Sequence, residues 1–430
     1  MTGPGLIFLQ LTVLLVTSQL IAYSISRLGQ PPVIGQMLSG VVLGPSLFGL
    51  LLPDLQHTLF PPSSMAVLSA MGQLGLALYM FVVGAELDRA FLRKHIRGAA
   101  AVSSAGVVVP LLAGALLTFP LIGDSALFPA GVAGWTRVAF FATAIAVTAF
   151  PVMARIIDEH GLTGSAVANV ALAAGSISDV VAWSLLAIVM AGVATQRGGV
   201  VLILGGGAAI TFVMLSAVRL LLRRYLRGKV IASSLHPRTL AFVLGLVMLS
   251  AWATTTTGLH PAFGAFLLGV AMPRNQLTSQ IQARVSPVAV NLLLPIFFIY
   301  AGLNTRIGLV NTPRLVVLAL LVITVACVSK GVACWLAAML AGYRQRDALA
   351  IGILMNARGL VELIILTAAL DNMIITPTLF SIMVVMTIVT TLMAAPVLRL
   401  LYKPVRTSDE RPGEAPTVVS RSDAAAEGSG

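Results

Sequence analysis

Thirteen apolar runs alternate with short charged or Gly/Pro-bearing breaks along the chain: 6–26, 33–50, 65–86, 98–119, 138–155, 163–193, 199–222, 239–257, 262–273, 286–303, 314–341, 347–370 and 375–401. A helix needs about 20 apolar residues to cross the hydrocarbon core of a bilayer, and all but the short ninth run come near that length. The pattern predicts an all-α polytopic membrane protein of about 13 transmembrane helices, with its termini on opposite sides. The first run lacks a basic n-region and continues at full length, so it reads as an uncleaved helix and not a signal peptide. Residues 407–430 are small, polar and Pro/Gly-rich, and they read as a disordered cytoplasmic tail behind a transmembrane unit spanning 1–406.

Composition narrows the class further. Of the 430 residues 58% are hydrophobic and only 10% charged, where a soluble domain carries about 25% charged residues. A soluble enzyme, a disordered chain and a secreted disulfide scaffold are thereby excluded. The net charge of +12 would suggest nucleic acid in a soluble protein. Here it reads as the positive-inside bias of membrane loops, with no nucleic-acid partner. With Arg399, Lys403 and Arg406 taken as cytoplasmic, 21 of the 27 Lys and Arg fall on that side. Arg137, Arg197, Arg306 and Arg314 fall on the other, which puts the N-terminus outside. Cys327 and Cys334 lie seven apart in one apolar run, two helical turns from each other and too distant for a disulfide.

The chain also echoes itself. GQMLSGVVLGP at 35–45 matches GAFLLGVAMP at 264–273, and YMFVVGAELD at 79–88 matches IFFIYAGLNT at 296–305. The fifth run is interrupted at TAIAVTAFP (143–151) and the twelfth at NARGLVEL (356–363), which opens on Asn356. Partners lie about 205 to 230 residues apart and run in opposite directions. Inverted repeats with two matched discontinuous helices are an arrangement of secondary transporters, whose ion site lies where the breaks meet.

Four ionisable residues fall deep within the runs: Asp179, Lys330, Arg358 and Glu362. Each costs about 2.5–3.5 kcal/mol at a helix centre, so each needs a partner or a use. Arg358 and Glu362 are four apart and read first as a staple across the twelfth break. Asp179 has no charged neighbour in its own run and is flanked by Ser176 and Ser178. Either it ties to Lys330 across helices or it titrates in an aqueous funnel. Desolvation favours a neutral carboxyl and a nearby ammonium favours a charged one, so such a group can trade a proton for a hard monovalent cation. Hard cations take oxygen ligands, which Thr143, Thr148 and the freed carbonyls of the fifth break supply. One carboxylate holding a proton or a metal ion, never both, is the chemistry of antiport. No catalytic residues and no cofactor are expected.

Seven stretches carry a resemblance to the cation:proton antiporter-2 family over about residues 5–402: PPVIGQMLSGVVLGPSLFG, GLALYMFVVGAELD, FFATAIAVTAFPVMARI, SDVVAW, GLHPAFGAFLLGVAMP, LLLPIFFIYAGLNTRI and NARGLVELIILTAAL. The resemblance implies the fold of bacterial sodium/proton antiporters, with a dimer domain and a mobile core domain whose discontinuous spans five and twelve cross. It also implies a homodimer in a bacterial plasma membrane. It assigns the site carboxylate to Asp179, the threonine of the fifth break to Thr148 and the basic residue of span eleven to Lys330. The residue before the site carboxylate is Asp in electrogenic members and Asn in many electroneutral ones. Here it is Ser178, and one carboxylate makes one-for-one, electroneutral exchange of H+ for Na+ or K+ the expectation. A gated K+ efflux system is the alternative. A lipid-acting membrane enzyme would need an interfacial cluster of His, Asp or Glu, which the sequence lacks. His260, in TGLHPAFG, reads as a turn residue.

Overall fold

A computed structural model describes residues 4–30, 32–86, 96–162, 165–191, 197–227 and 236–402, and every regular element among them is helical. The helices of more than seven residues are α1 (Pro4–Arg27), α2 (Pro32–Leu43), α3 (Pro62–Glu86), α4 (Ile96–Thr118), α5 (Gly134–Ala146), α6 (Phe150–Glu159) and α7 (Ala166–Ala191). Then come α8 (Arg197–Val213), α9 (Arg219–Arg227), α10 (Pro237–Thr256), α11 (Pro261–Ala271), α12 (Gln276–Val288) and α13 (Leu294–Leu303). The series closes with α14 (Pro313–Leu340), α15 (Gln345–Leu354), α16 (Leu360–Asp371) and α17 (Pro377–Leu401). The proposed tail, 407–430, lies outside the described residues, as do the basic loops at 87–95 and 228–235.

Among the described residues, ten stretches are long and apolar enough to cross a membrane, against the thirteen expected. The difference falls on three segments. The fifth is divided into α5 and α6, the twelfth into α15 and α16, and the ninth is the 11-residue α11. Boundaries move too. The tenth run, expected from 286, is helical from Gln276, where the Asn275 side chain caps Thr278 N–H at 2.9 Å. The added turns, QLTSQIQAR, are polar, so hydropathy passed over them. A π turn at Ala289–Leu293 joins α12 to α13.

Contacts follow the internal repeat. The α1–α2 pairing has its mate in α10–α11, and α2–α13 in α11–α3. Likewise α4–α5 matches α14–α15, and α6–α7 matches α16–α17. Helices α1–α3 with α10–α13 form one group, and α4–α7 with α14–α17 the other. In the first group, matched glycines set the closest approaches. Gly40 lies against Gly302, and Gly269 against Gly84. Without a solvophobic drive between helices in lipid, small residues that let backbones approach provide the packing. A β-carbon at Gly269 would stand 2.2 Å from the carbonyl oxygen of Phe81. Gly269→Leu is therefore expected to cost about 1–3 kcal/mol through overpacking and to lower the thermal midpoint of the purified protein. Gly308, with open space around it, is the control position, where leucine should leave the midpoint unchanged.

Loop contacts define two ends. At one, Arg399 Nε donates to His160 Nε2 at 3.2 Å and the Tyr402 hydroxyl to Asp347 at 3.2 Å. At the other, Arg314 pairs with Asp124 at 2.6 Å, and Thr376 N–H donates to Leu127 O at 3.0 Å. The first is called the basic end below, after Arg27, Arg155, Arg344, Arg346 and Arg399.

Candidate functional site

The fifth span breaks because Val147 and Ala149 are extended and Pro151, in the first turn of α6, has no N–H to return to Val147. A helix that stops inside a bilayer leaves its last carbonyls without partners. Those of Ala144, Ile145 and Ala146 at the end of α5, and of Val147 just beyond it, are met by two cations from elsewhere. Arg358 Nη1 donates to Ala144 O at 2.9 Å and to Val147 O at 3.2 Å, and its Nη2 to Ile145 O at 2.6 Å. Lys330 Nζ donates to Ala146 O. The partial negative charge of a helix C-terminus favours cations there, and both side chains are fully buried.

The twelfth span breaks at Met355–Gly359. Gly359 has φ 156°, and a β-carbon there would approach Val152 Cγ2 to 2.9 Å, so this crossing needs glycine. The two breaks are joined directly, Ala149 N–H donating to Ala357 O at 3.0 Å. From α17, Thr391 Oγ1 accepts from Arg358 N–H at 3.1 Å. Glu362, in the first turn of α16, is 3.5 Å from Arg358 Nη1. The expected staple is thus present as a loose ion contact, while the guanidinium's hydrogen bonds go to the other broken helix.

Asp179 lies on α7, 4% exposed. Its carboxylate accepts from the backbone N–H of Phe150, the first residue of α6, and so stands at the positive end of a half-helix dipole. Its Oδ1 has no hydrogen-bond partner, and neither does the buried Thr148 Oγ1, two residues before Phe150. Among the described residues no ion pair joins Asp179 to Lys330, so the static tie weighed above is absent. The break therefore sorts charge: two cations at the carbonyl end of α5, and one carboxylate with open acceptor capacity at the amide end of α6.

The remaining expected site residues divide. Ser178 Oγ is 2.9 Å from Ser103 Oγ on α4, and Ser176 Oγ donates to Leu172 O at 2.8 Å. Their hydroxyls are engaged with the scaffold. Thr143 is buried near the end of α5, where its carbonyl accepts from Val147 N–H at 3.1 Å. Asn356 Nδ2 reaches Gly352 O at 3.4 Å, and its Oδ1 is unpartnered. Ser103 was not legible as a site residue, since a serine in an apolar run carries no signal of what it faces. On the basic side a cavity of ≈ 390 Å³ opens between the two helix groups, lined by Gln36, Tyr79 and Asn291 from one and Val152, Arg155 and Leu360 from the other.

The profile of the family described as sodium/hydrogen exchanger, transmembrane, matches residues 12–403. The chain is 35% identical over 399 residues to the Na(+)/H(+) antiporter NhaS4 of Synechocystis sp., covering 92% of this chain and 97% of that protein. It is 33% identical over 414 residues to the K(+)/H(+) antiporter 1 of Saccharomyces cerevisiae, covering 93% of this chain but 47% of that longer protein. The sodium proton antiporter MjNhaP1 of Methanocaldococcus jannaschii superposes with a TM-score of 0.68 at 16% identity, over 94% of this chain and 100% of that one.

Proposed function

The chain belongs to the transmembrane sodium/hydrogen exchanger family, and from this we propose that it exchanges a monovalent alkali cation, Na+ or K+, for protons. Asp179 binds either ion, with Thr148 Oγ1 as a second oxygen. The observation that carries this reading is a midplane carboxylate at a half-helix N-terminus, with one oxygen unpartnered and no cation paired to it. Such a group is stable when neutralised, either by a bound proton or by an alkali ion that gains further oxygen ligands.

Charge arithmetic favours one-for-one exchange. Arg358, Lys330 and Glu362 contribute the same charge throughout if their protonation is constant. A proton or a monovalent cation on Asp179 then gives the moving body the same net charge in both loaded states. Alternating access arises as the group α4–α7 with α14–α17 slides against the other, which we take as the dimer-forming body. The basic end faces the cytoplasm of a bacterial plasma membrane and the N-terminus lies outside. The cavity at that end, between the two helix groups, supports an inward-facing assignment for this conformation.

The test is a pH-gradient dequenching assay in proteoliposomes with Na+, K+ and Li+ added in turn. Recovery of fluorescence on cation addition is expected, with no acceleration when a membrane potential is imposed by a K+-free method. No recovery with any ion would overturn the exchanger reading, and potential-driven exchange would overturn electroneutrality alone.

A further inference from the structure

One turn beyond Asp179 on α7, away from the basic end, stands Trp183, 3% exposed. Its ring centroid is 5.8 Å from that of Phe263 and 6.3 Å from that of His260, with interplanar angles of 33° and 38°. Both partners belong to the first turn and cap of α11, in the opposite helix group. His260 is itself fixed there, its Nδ1 accepting from Ala262 N–H at 3.3 Å. Ala182, Leu186 and Phe266 are buried around the contact. The molecule thus has a cavity with Gln36, Tyr79, Arg155 and Asn291 in its wall toward the basic end, and an aromatic contact between the two bodies on the other side of Asp179.

We propose that Trp183, closing against Phe263 and His260, shuts Asp179 off from the end opposite the basic one, and that parting of these rings admits ions from that side. The proposal rests on the exchanger reading and adds the residues that set which face the site sees. Two features suit the contact to opening and closing. The indole Nε1 is buried with no hydrogen-bond partner, so the indole adds no hydrogen bond to the ring packing, and parting lets water reach a dry donor. Beside the contact lies a groove of ≈ 690 Å³, lined by Trp183, Ser184, Phe212, Leu259 and Phe263 and by no charged residue. Its apolar, exposed walls, with Ile188 and Phe212 among them, place the contact at the edge of the packed interior, where the rings have fewer protein neighbours to displace.

The experiment measures the apparent KM for Na+ and for K+ from each side of oriented proteoliposomes. For Trp183→Ala, a larger fraction of molecules opens to the far side. The ratio of far-side to basic-side KM should fall by about threefold to tenfold, while Trp183→Phe stays near wild type. A change of both KM values by one common factor, or no change, would overturn the gate. If Trp183→Ala does not accumulate, Phe263→Ala tests the same contact from the other body. Absence of exchange in the wild-type protein is a separate outcome and would remove the exchanger reading itself.

Discussion

Asp179→Asn is expected to reduce cation-driven proton movement in proteoliposomes to the protein-free background, with normal expression and an unshifted thermal midpoint. Asparagine keeps the shape of the carboxylic acid, and its side-chain oxygen can still accept from Phe150 N–H, the bond seen for Asp179. It cannot release a proton or present a charge to a metal ion, so both half-reactions stop together. Asp179→Glu keeps the charge on a longer arm and should retain measurable exchange with weaker apparent cation affinity. Exchange at the wild-type rate in Asp179→Asn would remove this residue from the mechanism.

The second large effect concerns stability. Arg358→Met should lower the thermal midpoint sharply, at a cost of about 3–5 kcal/mol, because it removes one member of a buried charge pair. Three carbonyls, Ala144, Ile145 and Val147, lose their donor at once, and Glu362 is left as an uncompensated buried carboxyl. Adding Glu362→Gln to Arg358→Met should recover part of the loss, which separates the charge penalty from the lost hydrogen bonds. Lys330→Ala forgoes one carbonyl and should be milder. Equal midpoints for Arg358→Met and wild type, measured by thermal unfolding in detergent, would contradict the role assigned to the guanidinium.

Much of this was legible from residue order. Apolar runs gave the helical class. Pro151 and Gly359 marked the two breaks, and charge in hydrocarbon singled out Asp179, Lys330, Arg358 and Glu362. Partners distant in sequence were not legible. That Arg358 serves carbonyls 211 to 214 positions earlier depends on how two broken helices cross, and its sequence neighbour Glu362 looked the natural partner. Ser178 and Ser176 looked like ligands because they flank Asp179. On a helix a residue one position away points elsewhere, and Ser178 Oγ meets Ser103; Ser176, three positions away, shares the face of Asp179, but its hydroxyl donates back to Leu172 O. The early start of α12 escaped because a polar helix leaves no hydropathic trace.

The backbone bond from Ala149 to Ala357 ties the two interrupted spans into a single piece. A carrier built this way takes its electrostatic surroundings along as luggage. In the exchange proposed above, the guanidinium, the ammonium and both half-helix poles would travel with the ion, and only the mouth of the site would trade one wet face for the other. Under that proposal, friction along the seam between the bodies, including the lipid pressed against it, would set the pace of turnover. Bilayer thickness and fluidity should tune that pace more strongly than the identity of the alkali ion aboard.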